Sequence, residues 1–166
     1  MNEDRYFGAP WGTLLKIVSA SVTLLLLGFF IALIKSANPL SVIPLLIAFI
    51  TLLFTVRGYT VSENTLRIKR LLWNTVVNID TIRSVKINPG AMTGAIRTFG
   101  NGGFYSFSGQ YKSGKLGFFR AYVTDFRNCV VVETSGSTIV VSPENPELFT
   151  EVLRNAIHGK NKDIRH

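Results

Sequence analysis

The side chains able to do chemistry in this chain are few: one cysteine, two histidines, and bases interleaved with aromatics. His158 and His166 have no Cys, Asp or Glu at metal-ligand spacing. Cys129 is followed by Val130 and Val131 in a run that reads as a strand, the setting of a buried, unreactive thiol. No acid–base pair or activated nucleophile emerges, so the sequence assigns no catalytic residue, no metal and no cofactor, and disfavours an enzyme. Gly100-Asn101-Gly102-Gly103 has glycines that would let backbone N–H groups approach an anion. It lacks the Lys-Ser/Thr and the following helix of a phosphate-binding loop, so these glycines are expected to serve turns at positive φ.

The bases and aromatics offer binding chemistry instead. Arg67 and Lys69 fall on one face of a strand, and Arg97, Phe104, Tyr105, Phe107, Tyr111, Lys112 and Lys115 lie in a glycine-rich segment. Aromatics turned outward there would enter a membrane interface while the bases meet anionic headgroups, at roughly 1 kcal/mol per base. The same residues could dock a protein partner or a second copy, or fold back to cover the sheet. Nucleic acid is not expected, because the bases are dispersed over many elements.

The elements that must position these residues begin with two apolar runs, residues 17–34 and 39–56, separated by Lys35-Ser36-Ala37-Asn38. Neither run carries a charge, and 18 helical residues span roughly 27 Å, close to the hydrocarbon thickness of a bilayer. They are expected to form a transmembrane hairpin. The first run is long for the core of a signal peptide, lacks a suitably placed small-x-small site and is followed at once by the second. Small residues recur along both runs (Gly28 and Ala32; Ser41, Pro44, Ala48, Thr51 and Thr55), as helices that approach closely in lipid require. No ionisable residue lies mid-span, which argues against a channel or transporter.

Charge sets the expected topology. From Arg57 onward there are 15 Lys/Arg against 8 Asp/Glu, nearly all of the chain's net +8. Arg5, Lys16, Arg57, Arg67, Lys69 and Arg70 flank the spans on one side and only Lys35 lies on the other, so both termini are expected in the cytoplasm of a multi-pass cell-membrane protein. Residues 1–16 form a lead in which Tyr6, Phe7 and Trp11 suit the membrane interface. A lone cysteine is compatible with a reducing compartment.

Beyond the hairpin the pattern changes to short β-rich runs: 58–61, 65–73 with Leu66, Ile68 and Leu72 on one parity, 75–79, 84–87, 118–124, 129–134 and 138–141. Residues 90–117, with eight glycines and five aromatics, show no strand or helix period and are expected to be a long functional loop. The last element is a helix with Asn145 as N-cap, Pro146 in its first turn, and an apolar stripe of Leu148, Phe149, Val152, Leu153, Ala156 and Ile157. Gly159 is expected to end it, leaving a charged tail.

Gly58-Tyr59-Thr60-Val61-Ser62 leading to Leu66-Arg67-Ile68, then Ile79-Asp80 and Ile82, Phe99-Gly100-Asn101-Gly102-Gly103-Phe104, Tyr122-Val123-Thr124-Asp125 and Val141-Ser142-Pro143 followed by Pro146 and Phe149 resemble the bacterial pleckstrin-homology (PH) domain family. The resemblance implies two transmembrane α-helices as a hairpin plus a PH-like antiparallel β barrel or sandwich capped by a C-terminal α-helix. The expected organisation is lead 1–16, hairpin 17–56, PH-like domain 57–158 and tail 159–166. It further implies a binding or adaptor role at the membrane face, toward a protein partner, another copy or anionic headgroups. PH domains that bind phosphoinositides tend to place bases on the first two strands and the loop between them. Here that loop is Ser62-Glu63-Asn64, with an acid and no base.

Overall fold

The computed structural model describes residues 4–37 and 39–163. In chain order the elements are β1 (Arg5–Gly8), α1 (Thr13–Lys35), α2 (Val42–Leu53, entered through a 3-10 turn at Pro39–Ser41), β2 (Val56–Val61), β3 (Thr65–Arg70), β4 (Asn74–Asn78), β5 (Ile82–Ile87), β6 (Ile96–Gly102), β7 (Phe107–Ser113), β8 (Gly117–Val123), β9 (Val130–Thr134), β10 (Thr138–Val141) and α3 (Pro146–Asp163). One sheet has the order β1-β2-β3-β4 and the other β5-β9-β10-β8-β7-β6. The sheets do not close into a barrel. Nor are they wholly antiparallel, because β10 runs parallel to β8 while pairing antiparallel with β9.

The six-stranded sheet is buried on both faces over its central strands. Val130 and Val132 enter a core with Tyr59, Leu66, Ile68, Phe149 and Leu153, while Cys129, Val131 and Val140 enter a second core with Leu15, Phe107, Tyr111 and Phe119. That double burial explains why the sequence of β9 is continuously apolar rather than alternating. Tyr59 joins the two sheets: its hydroxyl donates to the Tyr122 carbonyl at 2.6 Å and accepts from the Ser142 N–H at 3.0 Å. Burial raises the phenol's pKa well above its ordinary value, so the group stays a neutral donor.

Helix α3 plugs the open side of the first core, with Phe149 edge-on to Phe7 and Tyr59. The Asn145 side chain accepts from the Leu148 N–H at 3.0 Å, a side-chain N-cap just ahead of Pro146. The helix does not stop at Gly159 but continues to Asp163, since a glycine within an exposed turn weakens a helix without ending it. Residues 164–166, including His166, lie outside the described residues. His158 is exposed and its Nδ1 lies 2.8 Å from the Arg154 carbonyl.

Several expectations require correction. The lead contains a strand: β1 pairs with β2 from Arg5↔Val61 to Gly8↔Gly58. Phe7 is buried in the first core rather than lying at an interface, and Trp11 packs against the second core. The Tyr6 ring lies directly over Gly58, where a Cβ would stand 2.4 Å from the Tyr6 hydroxyl, so a side chain there would push the Tyr6 ring off its bond to the Arg57 carbonyl. The second apolar run ends sooner than its hydropathy, for helix α2 stops at Leu53 and Val56 already belongs to β2. Strand β3 ends at Arg70, so Leu72 lies exposed in the turn that follows. Gly28 and Ala32 face outward. The half-buried positions of α1 beyond Leu15 and Ser19 include Val22, Leu26, Phe30 and Leu33, whereas α2 does turn Ser41, Pro44, Ala48 and Thr51 inward.

The largest correction concerns residues 90–117. They are not one loop: β6 and β7 form an antiparallel hairpin on the edge of the six-stranded sheet, and β7 pairs with β8 throughout. Gly100 and Gly109 stand opposite each other with φ of +106° and +140°, and a Cβ on either would fall within 2.5 Å of the other strand's backbone. Glycine here permits close strand approach, and it erases the side-chain alternation by which a strand is recognised.

Candidate functional site

The turn of the β6–β7 hairpin is where the helices meet the domain. The Gly103 N–H donates to the Ser106 carbonyl at 3.2 Å, and the Asn101 side chain bonds both backbone groups of Phe104. Tyr105, at the tip, has φ of +65°, a conformation uncommon for a non-glycine residue. Its N–H donates to Ser19 Oγ of α1 at 3.0 Å, and its hydroxyl lies 3.1 Å from that of Thr23. The Ser19 hydroxyl donates back to the Gly103 carbonyl at 3.3 Å. From the other side, the Ser106 hydroxyl donates to the Phe54 carbonyl just beyond α2. One turn thus holds the domain-side ends of both helices.

Beside this junction opens a groove of about 540 Å³, walled by Ile50 and Phe54 at the α2 end and by the face of β6, β7 and β8 opposite the second core. Arg70, Arg97 and Arg120 line it, and among the described residues no carboxylate does. The register brings these residues together: Phe99 and Arg120 flank Gln110 on one row across three strands. The Arg70 guanidinium lies 4.8 Å from the Tyr122 ring and 5.5 Å from the Trp73 ring, and donates to Thr75 Oγ1 at 3.2 Å. Its Nε is buried without a hydrogen-bond partner. Arg97 donates to the Gly100 carbonyl at 3.1 Å. Phe99 is 76% exposed. A second cleft, about 610 Å³ between α3 and β5, carries both signs of charge, with Lys86 and Arg154 facing Glu147 and Glu151.

The family comparison bears on how this groove is read. The model of the bacterial PH domain matches residues 57–157, more than half of the chain. The chain belongs to the bacterial PH domain family. Comparison with curated proteins and with solved structures gives no match. PH domains are typically non-catalytic binding modules. The Ser62–Asn64 loop opens strand β3, whereas Arg70 closes it, so groove and loop lie at opposite ends of the same strand.

Of the residues singled out from the sequence, only Arg97 and Phe104 line the groove of this PH domain. Arg67 and Lys69 sit on the other sheet, Arg67 at 4.0 Å from the Asp4 carboxylate and Lys69 over the Tyr6 ring. Phe104, Phe107 and Tyr111 are buried, so of the alternatives the sequence left open these three fold inward rather than turn out as contact residues. Phe107 and Tyr111 face the second core, and the Tyr111 hydroxyl donates to the Asn101 carbonyl at 2.7 Å. Burial pushes the Tyr111 phenol up to about 12. Tyr105 is half-buried against α1, Lys112 lies over the Phe118 ring at 4.9 Å, and Lys115 is exposed in the β7–β8 turn.

The sequence does not pick out Arg120 and Phe54 as site residues, shows Arg70 only as a charge flanking the spans, and shows Phe99 only as part of the family-like glycine-aromatic segment. The available signal was parity: once β6 and β7 are strands, Phe99, Gln110 and Arg120 fall on one face and Tyr111 on the other.

Proposed function

We propose that the chain is a membrane-anchored binding module. In this reading α1 and α2 cross the bilayer as a hairpin, both termini are cytoplasmic, and the PH domain, residues 57–158, works at the adjoining membrane face. One observation carries it. Outside the stripes by which they face each other, the helices expose large apolar side chains, from Leu24, Leu25, Leu27 and Phe29 to Leu46, Phe49 and Ile50, while their domain-side ends are hydrogen-bonded to the β6–β7 turn. An apolar helix with no protein cover suits lipid rather than water. Helix α1 is long and apolar enough to span a membrane by length and composition. Anchored in this way, the domain presents the groove beside α2 to whatever the membrane face offers.

The test is topological and uses the buried Cys129 as a silent background. Lys35→Cys should react with an impermeant maleimide on intact cells, Lys115→Cys only after lysis, and the chain should stay in the membrane pellet under alkaline carbonate. Labelling of both positions from the same side would overturn the hairpin.

A second reading, docking of a protein partner or another copy, is favoured by the exposed Ile96, Phe99 and Phe118 on the outer face of β6 and β8. Phe99→Asp with Phe118→Asp should then abolish crosslinks formed in native membranes.

A further inference from the structure

We infer that the groove between α2 and the β6–β8 face holds one anionic phospholipid from the adjoining leaflet, its phosphate on Arg70, Arg97 and Arg120 and its chains running out along Ile50 and Phe54. This deepens the membrane-anchored reading above and rests on it for the source of the ligand.

Three guanidinium groups share about 540 Å³ with no carboxylate among the lining residues. Their mutual repulsion is relieved by an anion that accepts from several at once, and planar guanidinium forks match phosphate oxygens in bidentate fashion. Arg70 is already fixed for the task. Its side chain packs on Tyr122 and Trp73 and bonds Thr75, which holds the guanidinium in place where Arg70 lines the groove.

The opposite wall decides the ligand class. A soluble phosphate would satisfy the arginines and leave Ile50, Phe54 and Phe99 wet, although all three are exposed apolar side chains. Ile50 and Phe54 continue into the bare apolar surface of α2. A molecule charged at one end and apolar at the other matches both walls, and the path out of the groove leads along the helix that enters the membrane. The volume lies within the range of small-molecule sites.

The experiment is native mass spectrometry of the full chain released from detergent micelles carrying equal amounts of dioleoyl phosphatidylglycerol and dioleoyl phosphatidylcholine, with glycerol phosphate as soluble competitor. The unmodified chain should retain phosphatidylglycerol about tenfold over phosphatidylcholine, and the exposed pair Arg97→Gln with Arg120→Gln should reduce that retention by about tenfold or more. Arg67→Gln with Lys69→Gln removes the same charge elsewhere and should leave it unchanged. Equal retention of both lipids, or equal loss in both double variants, would overturn the site. Displacement by glycerol phosphate would replace the lipid with a soluble phosphate ester. Release by alkaline carbonate would instead strike the anchor reading, and the lipid ratio in detergent still decides the groove.

Discussion

Ser19 and Tyr105, 86 positions apart in sequence, share one hydrogen bond at 3.0 Å in which the backbone N–H of a left-handed turn residue donates to a hydroxyl on the inner face of α1. That hydroxyl donates in turn to the Gly103 carbonyl, so Ser19 pairs with one donor and one acceptor of the turn. Ser19→Ala leaves the Tyr105 N–H unpaired and should cost about 1–3 kcal/mol. Thermal unfolding of the full chain in detergent measures the loss, and hydrogen exchange should show it as faster exchange at residues 103–106.

Core and surface aromatics should separate cleanly. Phe149 is fully buried between Phe7 and Tyr59, and Phe149→Ala should cost about 3–5 kcal/mol. Phe118 is 67% exposed, and Phe118→Ala should stay within about 0.5 kcal/mol. Denaturant midpoints of the two variants check the contrast; a large loss at Phe118 would mean that its outer face is already covered.

Cys129 is fully buried, and burial pushes its thiol up to about 12. Iodoacetamide at pH 8 should leave the folded chain unmodified and alkylate it fully in denaturant. Mass spectrometry reads both states, and rapid labelling without denaturant would contradict the packing of the second core.

Asp125 is held below its ordinary value of 3.8, first by side-chain hydrogen bonds from Arg127, with burial acting in the opposite direction. The Arg127 Nε and Nη2 donate to its two carboxylate oxygens at 3.1 and 2.8 Å, and the Arg127 N–H adds a third bond. The folded chain therefore favours the carboxylate. Its contribution is complete above the ordinary value and is lost as pH falls through the lower folded one. Urea midpoints followed downward in pH should decline in this window, and Asp125→Asn should flatten that part of the curve.

Much of the architecture was legible because it rests on periodic burial. The α3 stripe, the alternating faces of β3 and the apolar runs of α1 and β9 each carry their environment in the residue order. The site was harder to read because its residues come from five elements and its central hairpin is built on glycine. Gly100 and Gly109 supply close backbone approach rather than side-chain pattern, so the stretch looked structureless, and the sequence left open whether its aromatics turn outward or fold back, whereas Phe107 and Tyr111 close a core around Leu15. Strand β1 was hidden differently: Arg5–Gly8 is four residues long, and only its pairing with β2 makes it a strand.

The α2 helix has a further consequence in its length. Twelve residues rise about 18 Å, and from Ser19 the free part of α1 reaches Lys35 in about 24 Å, against roughly 30 Å of hydrocarbon in an average bilayer. The β6–β7 turn holds the domain-side ends of both helices. Were the pair to cross a bilayer as proposed above, it could not slide deeper to make up the difference, and the hydrophobic mismatch would have to be relieved by local thinning and by Lys35 reaching toward the far headgroups.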